Sequence, residues 1–220
     1  GLQGLMGWYM VQSGLVDRPD VSQYRLTAHL GLAIAIYAYI VWLIIGLFSP
    51  ERRQRDGALN SVFGIIGLVY LMILSGGFVA GTNAGLSFPT WPLMGDSFVP
   101  PALYRDGVTS AFEQVTTIHF NHRMLAYLTG VVLITAAVRG LLTTTDRRLK
   151  LASILMLIAV CFQIVLGIST VLSQVDIAIA AGHQSGAVVL LTAVLFWVHV
   201  YVTQSAYYCL LYTSDAADDR

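Results

Sequence analysis

The chain has 220 residues, 56% of them hydrophobic and 11% charged, with a formal net charge of zero and a mean hydropathy of +0.71. That much apolar surface excludes an ordinary soluble domain of this size. The neutral balance leaves no basic footprint for nucleic acid, and the isolated Cys161 and Cys209 form neither a disulfide framework nor a thiolate metal site.

In chain order, residues 1–14 read as an apolar helical segment of about 21 Å, short of the ~30 Å hydrocarbon core. They are expected to be the outer end of a truncated span, since the chain opens inside an apolar segment without an initiator methionine. Leu26 to Phe48 and Ser61 to Ala80 are full spans. Residues 83–114 form a long loop carrying Pro89, Trp91, Pro92, Pro100 and Pro101, expected at the membrane surface, where tryptophan is favoured. Phe120 to Leu142, Leu151 to Leu172 and Ile177 to Thr203 complete five full spans and one partial one. The expected fold is an all-α transmembrane helix bundle. Gly77, Gly81 and Gly85 recur every four residues, as in a close-packing stripe. The stretch from Leu210 to Arg220 turns polar and acidic, and residues 205–220 read as a tail foreign to the fold.

Basic residues set the orientation. Arg52, Arg53 and Arg55 follow the second segment, and Arg139, Arg147, Arg148 and Lys150 join the fourth to the fifth. By the positive-inside rule these loops face the cytoplasm or matrix. The loops at 15–25, 83–114 and 173–176 then face outward.

The first two segments and the last two share a pattern. Gln3-x-x-x-Gly7 is matched by Gln163-x-x-x-Gly167, each followed by a histidine (His29, His183) and then a tryptophan (Trp42, Trp197). Internal repeats of this kind are common in membrane folds. If the second copy is the four spans from Ser61, the first copy retains only its last two. The parent would then have eight spans in two four-helix bundles, divided here as 1–57 and 58–204.

His29, His122 and His183 stand three, two and six residues inside spans that begin on the outer side, so they share one layer within about 10 Å of that boundary. Each has an alanine four residues on, at Ala33, Ala126 and Ala187, on the same helical face. One membrane histidine is usually a helix-to-helix hydrogen-bond donor. Three in a layer admit either haem ligation or an ion or proton pathway. Arg25 and Arg123, beside His29 and His122, are candidates for clasping haem propionates with a planar fork, against snorkelling to the interface. His119 and His199 read as ordinary structural histidines.

These residues also resemble a family. LQGLMGWYMVQSGL at 2–15, YRLTAHL at 24–30, GGFVAGTNAGLSFPTWPLMG at 76–95, HFNHRMLAY at 119–127, LGISTVL at 166–172 and GHQSGAV at 182–188 are similar to haem A synthase of the mitochondrial and alphaproteobacterial type. The resemblance covers residues 1 to about 204. It implies oxidation of the C8 methyl of haem O to the formyl of haem A, by successive hydroxylations with oxygen drawn from water. It implies a haem b held by His122 and His183, and His29 as one of two histidines at the substrate site. It further implies the bacterial plasma membrane or the mitochondrial inner membrane, with the histidine layer outward. Haem O synthase and cytochrome c oxidase assembly factors become expected partners, with self-association open. The first two spans of the family are expected to be missing, leaving this chain alone inactive. A non-catalytic haem b electron carrier and a proton-coupled transporter are the competing readings.

Overall fold

The computed structural model describes the backbone of residues 1–12, 21–49 and 59–218, with side chains from 62 to 203 in the last stretch. Among the described residues the fold is all helical: α1 (Leu2–Gln12), α2 (Gln23–Leu47), α3 (Leu59–Gly81), the single turn α4 (Ser110–Glu113), α5 (Val115–Thr143), α6 (Arg147–Leu172) and α7 (Ile177–Asp218). Five helices are long and apolar enough to cross a membrane: Gln23–Leu47, Val62–Gly81, Val115–Thr143, Arg147–Leu172 and Ile177–Thr203. In lipid only a helix or a closed barrel satisfies every backbone group internally, so runs this apolar fold as helices. The protein is a membrane helix bundle.

Two helix starts have visible causes. Asp146 caps α6 by accepting from Arg148 N at 2.6 Å. Asp176 accepts from Ala178 N and Ile179 N at 3.0 and 3.1 Å, where α7 begins. A third start differs from expectation. α5 begins at Val115 rather than Phe120. Three of the intervening residues, Thr116, Thr117 and His119, are polar, and Thr117 and His119 continue the helix with their side chains bonded. Thr117, for example, is buried and donates to Gln114 Oε1 at 2.7 Å.

α3, α5, α6 and α7 close a ring, α3 against α5, α5 against α6, α6 against α7 and α7 against α3. α2 lies against α3 and α7, and α1 against α2. The expected boundary between residues 57 and 58 lies outside the described residues, as do Arg18, Arg52, Arg53 and Arg55 and the side chains of the 205–220 tail. Along α2 and α3 the small residues meet as the stripe suggested. A methyl group at Gly81 would sit 2.7 Å from Gln23 Cα, and one at Gly77 would sit 2.9 Å from Thr27 Oγ1. Gly85, past the helix end, instead faces Val175 at 3.1 Å.

The core is lopsided. Leu133, Ala137, Met156, Val160, Leu191, Val194 and Val198 pack one end of the bundle to near-complete burial. α6 has fully buried residues only up to Val160, and α7 only from Leu190 onward within its described side chains. The end where α5 and α7 begin is therefore the less tightly filled end.

The close α2–α3 approach yields a test. Gly81→Ala puts a methyl group into the Gln23 backbone and should cost about 1–3 kcal/mol of stability. Gly67→Ala, where nothing lies within 4 Å, should be neutral or stabilising. Thermal unfolding in detergent measures both, and equal losses would contradict the packing described.

Candidate functional site: a layer of histidines

His29 lies six residues into α2, His122 seven into α5 and His183 six into α7. At ~1.5 Å per residue the three share a level to within about one residue's rise. The layer is more even than the expected span boundaries implied, and it lies deeper for His29 and His122, because α2 and α5 start earlier than expected. It falls at the loosely filled end of the bundle.

His122 and His183 stand on α5 and α7 within electrostatic reach of each other. His122 Nδ1 is 2.7 Å from Ser75 Oγ on α3. A methyl group at the next residue, Gly76, would sit 3.4 Å from His122 Cε1. His183 rests on α6 in a similar way, with a methyl at Gly167 reaching within 3.0 Å of its Cε1. Gln163, one turn earlier on α6, donates from Nε2 to the His183 backbone carbonyl at 2.9 Å. His183 Nδ1 is buried with no hydrogen bond of good geometry, although the Gln163 backbone lies near enough to act on it.

α1 and α2 repeat this arrangement. Gln3 Nε2 donates to the His29 carbonyl at 3.2 Å, and a methyl at Gly7 would sit 3.3 Å from His29 Cε1. The repeat extends to the atoms left over: Gln3 Oε1 with Gln163 Oε1, and His29 Nδ1 with His183 Nδ1, are buried and unbonded in both copies. The copies differ at one point. Gln3 Nε2 also stands 3.3 Å from His29 Nε2, and an amide N–H donated there requires a bare lone pair on the ring. The two tryptophans have diverged: Trp42 packs edge-on against His199 at 5.1 Å, whereas Trp197 donates to Ser153 Oγ at 2.9 Å.

The two arginines have different surroundings. Arg25 lies over the Tyr9 ring, Cζ 4.4 Å from its centroid, and its Nη1 is buried without a hydrogen-bond partner among the described residues. Arg123 is only 7% exposed and almost fully engaged. Nη2 donates to the carbonyls of Phe88 and Thr90 at 3.1 and 2.7 Å, Nη1 to that of Leu93 at 3.2 Å, and Nε to His119 Nε2 at 3.2 Å. Its partners are the 83–114 loop and the neighbouring turn of its own helix. One guanidinium N–H remains for any other acceptor. The same loop reaches α2, where Tyr24 Oη donates to Glu113 Oε1 at 3.1 Å, and α5, where Phe98 stacks on Tyr127. His119 belongs to this clasp. His199 sits far along α7 at the packed end.

Residues 1–195 match the COX15-CtaA family, described as cytochrome oxidase assembly protein. The chain belongs to this family. It is 46% identical over 205 residues to a protein of Nitrosospira multiformis named heme A synthase, covering 90% of this chain and 57% of that protein. Over 207 residues it is 42% identical to the heme A synthase of Paramagnetospirillum magneticum, at the same coverage. It is 41% identical over 209 residues to heme A synthase COX15 of Bos taurus, covering 88% of this chain and 50% of that one. The chain thus spans about half the length of the curated relatives it matches. The family match, together with five apolar helices, makes this an integral membrane protein.

The donor set suits a haem better than a bare metal ion. Among the described residues no three histidine, cysteine or carboxylate side chains converge on one point. Two imidazoles need the remaining donors from elsewhere, and a macrocycle supplies four. The glycines behind His122 and His183 let each ring lie back against the neighbouring helix.

Ser75 had no signal in the sequence that tied it to His122, and the three loop carbonyls had none that tied them to Arg123. The four-residue Gln–Gly spacing was visible, but its contact with the histidine backbone was not.

Arg123 generates a prediction. Arg123→Gln should free the loop, costing about 1–3 kcal/mol for the carbonyls left unpaired, and should speed tryptic cleavage at Arg105. Cleavage at the wild-type rate would show that the clasp does not hold the loop.

Proposed function

We propose that this chain takes part in haem A synthesis, the oxidation of the C8 methyl of haem O to a formyl group. Supporting this is one arrangement: His122 and His183 stand at similar positions along α5 and α7, within electrostatic reach of each other and each with a glycine of a neighbouring helix against its ring, in a chain similar to proteins named heme A synthase. On this reading His122 and His183 would hold a resident haem b through its iron, and His29 would stand at the haem O site in the half built on α1 and α2. A haem b ligated in this way supplies one-electron transfer.

Converting a methyl to a formyl group with oxygen from water removes four electrons and four protons, so the reaction needs an acceptor beyond the substrate. The chain's own residues supply placement. Gly167 leaves room for the His183 ring against α6, and Gly76 lies in contact with the His122 ring on α3. Arg123 holds the 83–114 loop against α5, which limits water at that end of the bundle. Arg25, with a buried donor still unbonded, is the better placed of the two arginines to take a haem carboxylate. Gln3 donates to His29 Nε2, which keeps that nitrogen unprotonated; an iron there would displace the amide.

The full protein would be built from two related four-helix bundles, eight spans in all. Its histidine layer would face the periplasm or the intermembrane space. Haem O synthase would feed it, and its product would serve cytochrome c oxidase assembly.

The purified chain should carry a low-spin haem b spectrum. His122→Ala and His183→Ala should each abolish it, while His199→Ala should leave it intact. For the activity, the full-length protein that includes this chain is co-expressed with haem O synthase and the haems are extracted for chromatography. Haem A or hydroxylated haem O should form, and His29→Ala should reduce it at least tenfold. Bound haem b with no oxidised haem O would instead favour an electron carrier.

A further inference from the structure

The hydrogen bonds around His122 determine which ring nitrogen carries the proton. Ser75 Oγ has one proton, and it lies 2.8 Å from the Met72 carbonyl, which can only accept. With that proton committed, the 2.7 Å contact to His122 Nδ1 runs from the ring to the serine. Nδ1 carries the hydrogen, and Nε2 is left as a bare lone pair. An oxygen that is itself donating onward is a stronger acceptor, because successive hydrogen bonds polarise one another.

One turn away the same relay recurs with a different end. Ser87 Oγ donates to the Ala84 carbonyl at 2.6 Å and accepts from His119 Nδ1 at 3.2 Å. There, however, Nε2 is already taken by Arg123 Nε. Of two histidines three residues apart and in the same tautomer, His119 has its lone pair engaged and His122 does not. Across the bundle, His183 Nδ1 has no hydrogen bond of good geometry.

We propose that Ser75 is a positioning residue that fixes the tautomer and the donor strength of His122, making the two axial ligands of the haem unequal. This rests on His122 and His183 being those ligands. A ligating imidazole whose other N–H is hydrogen-bonded is the more basic ligand. It favours ferric over ferrous iron, so the Ser75 contact holds the haem potential down, and it does so through His122 alone.

The experiment is redox titration of the purified, haem-loaded chain as wild type, Ser75→Ala, Ser75→Thr and His122→Ala. Ser75→Ala should keep the low-spin spectrum and shift the midpoint potential positive, and Ser75→Thr, which restores a hydroxyl, should return it towards wild type. An unchanged potential in Ser75→Ala overturns the proposal. So does an equal shift in Ser75→Thr, since the hydroxyl would then be irrelevant. A low-spin spectrum retained by His122→Ala overturns the ligand reading beneath it, and that result is read independently of the serine variants.

Discussion

A histidine inside an apolar span is costly unless its polar atoms find partners, because lipid offers none. The histidine end of this molecule is arranged around that constraint. His119 meets it with Ser87 and Arg123, and His122 meets it at one nitrogen with Ser75. The His29 and His183 backbones are held by glutamines of the preceding helix. What remains is a layer in which one imidazole has a committed nitrogen and an open one, and two others have a buried nitrogen unbonded. Incomplete satisfaction in a membrane interior is tolerated where a ligand completes it.

Packing follows the same division. The far end of the bundle is close-packed around Leu133, Met156 and Val194, and it fixes the positions of α5, α6 and α7 relative to one another. Towards the histidines the fully buried residues give out on α6 and α7. Stability and site are thus carried by opposite ends of the same helices, so the site need not contribute to folding. The buried Arg123 then ties the 83–114 loop across the looser end, using backbone carbonyls as its partners.

Much of this was legible beforehand, because hydropathy alone separates five apolar runs and places a histidine near the start of three. The repeat was legible too, since the glutamine, glycine and histidine occur in the same order in both copies. The start of α5 was not. Thr116, Thr117 and His119 look like loop by polarity, and only the contacts of Thr117 and His119 explain why the helix includes them. The sequence marks Arg123 as a candidate for clasping haem propionates, against snorkelling to the interface, and gives no sign of the loop it holds. Its three carbonyl partners lie 30 to 35 residues away on an irregular loop whose path no periodicity reveals. Ser75 was invisible for a similar reason. The register between α3 and α5 is set by packing across a long connection, and nothing local pairs residue 75 with residue 122.

The central claim is that His122 and His183 together hold one haem iron. Pulsed electron paramagnetic resonance on the ferric, haem-loaded protein labelled with nitrogen-15 histidine addresses it directly. The account predicts a low-spin centre coupled to two imidazole nitrogens, reduced to one when either histidine is replaced. Coupling to a single imidazole in the wild type, or to none, would contradict it.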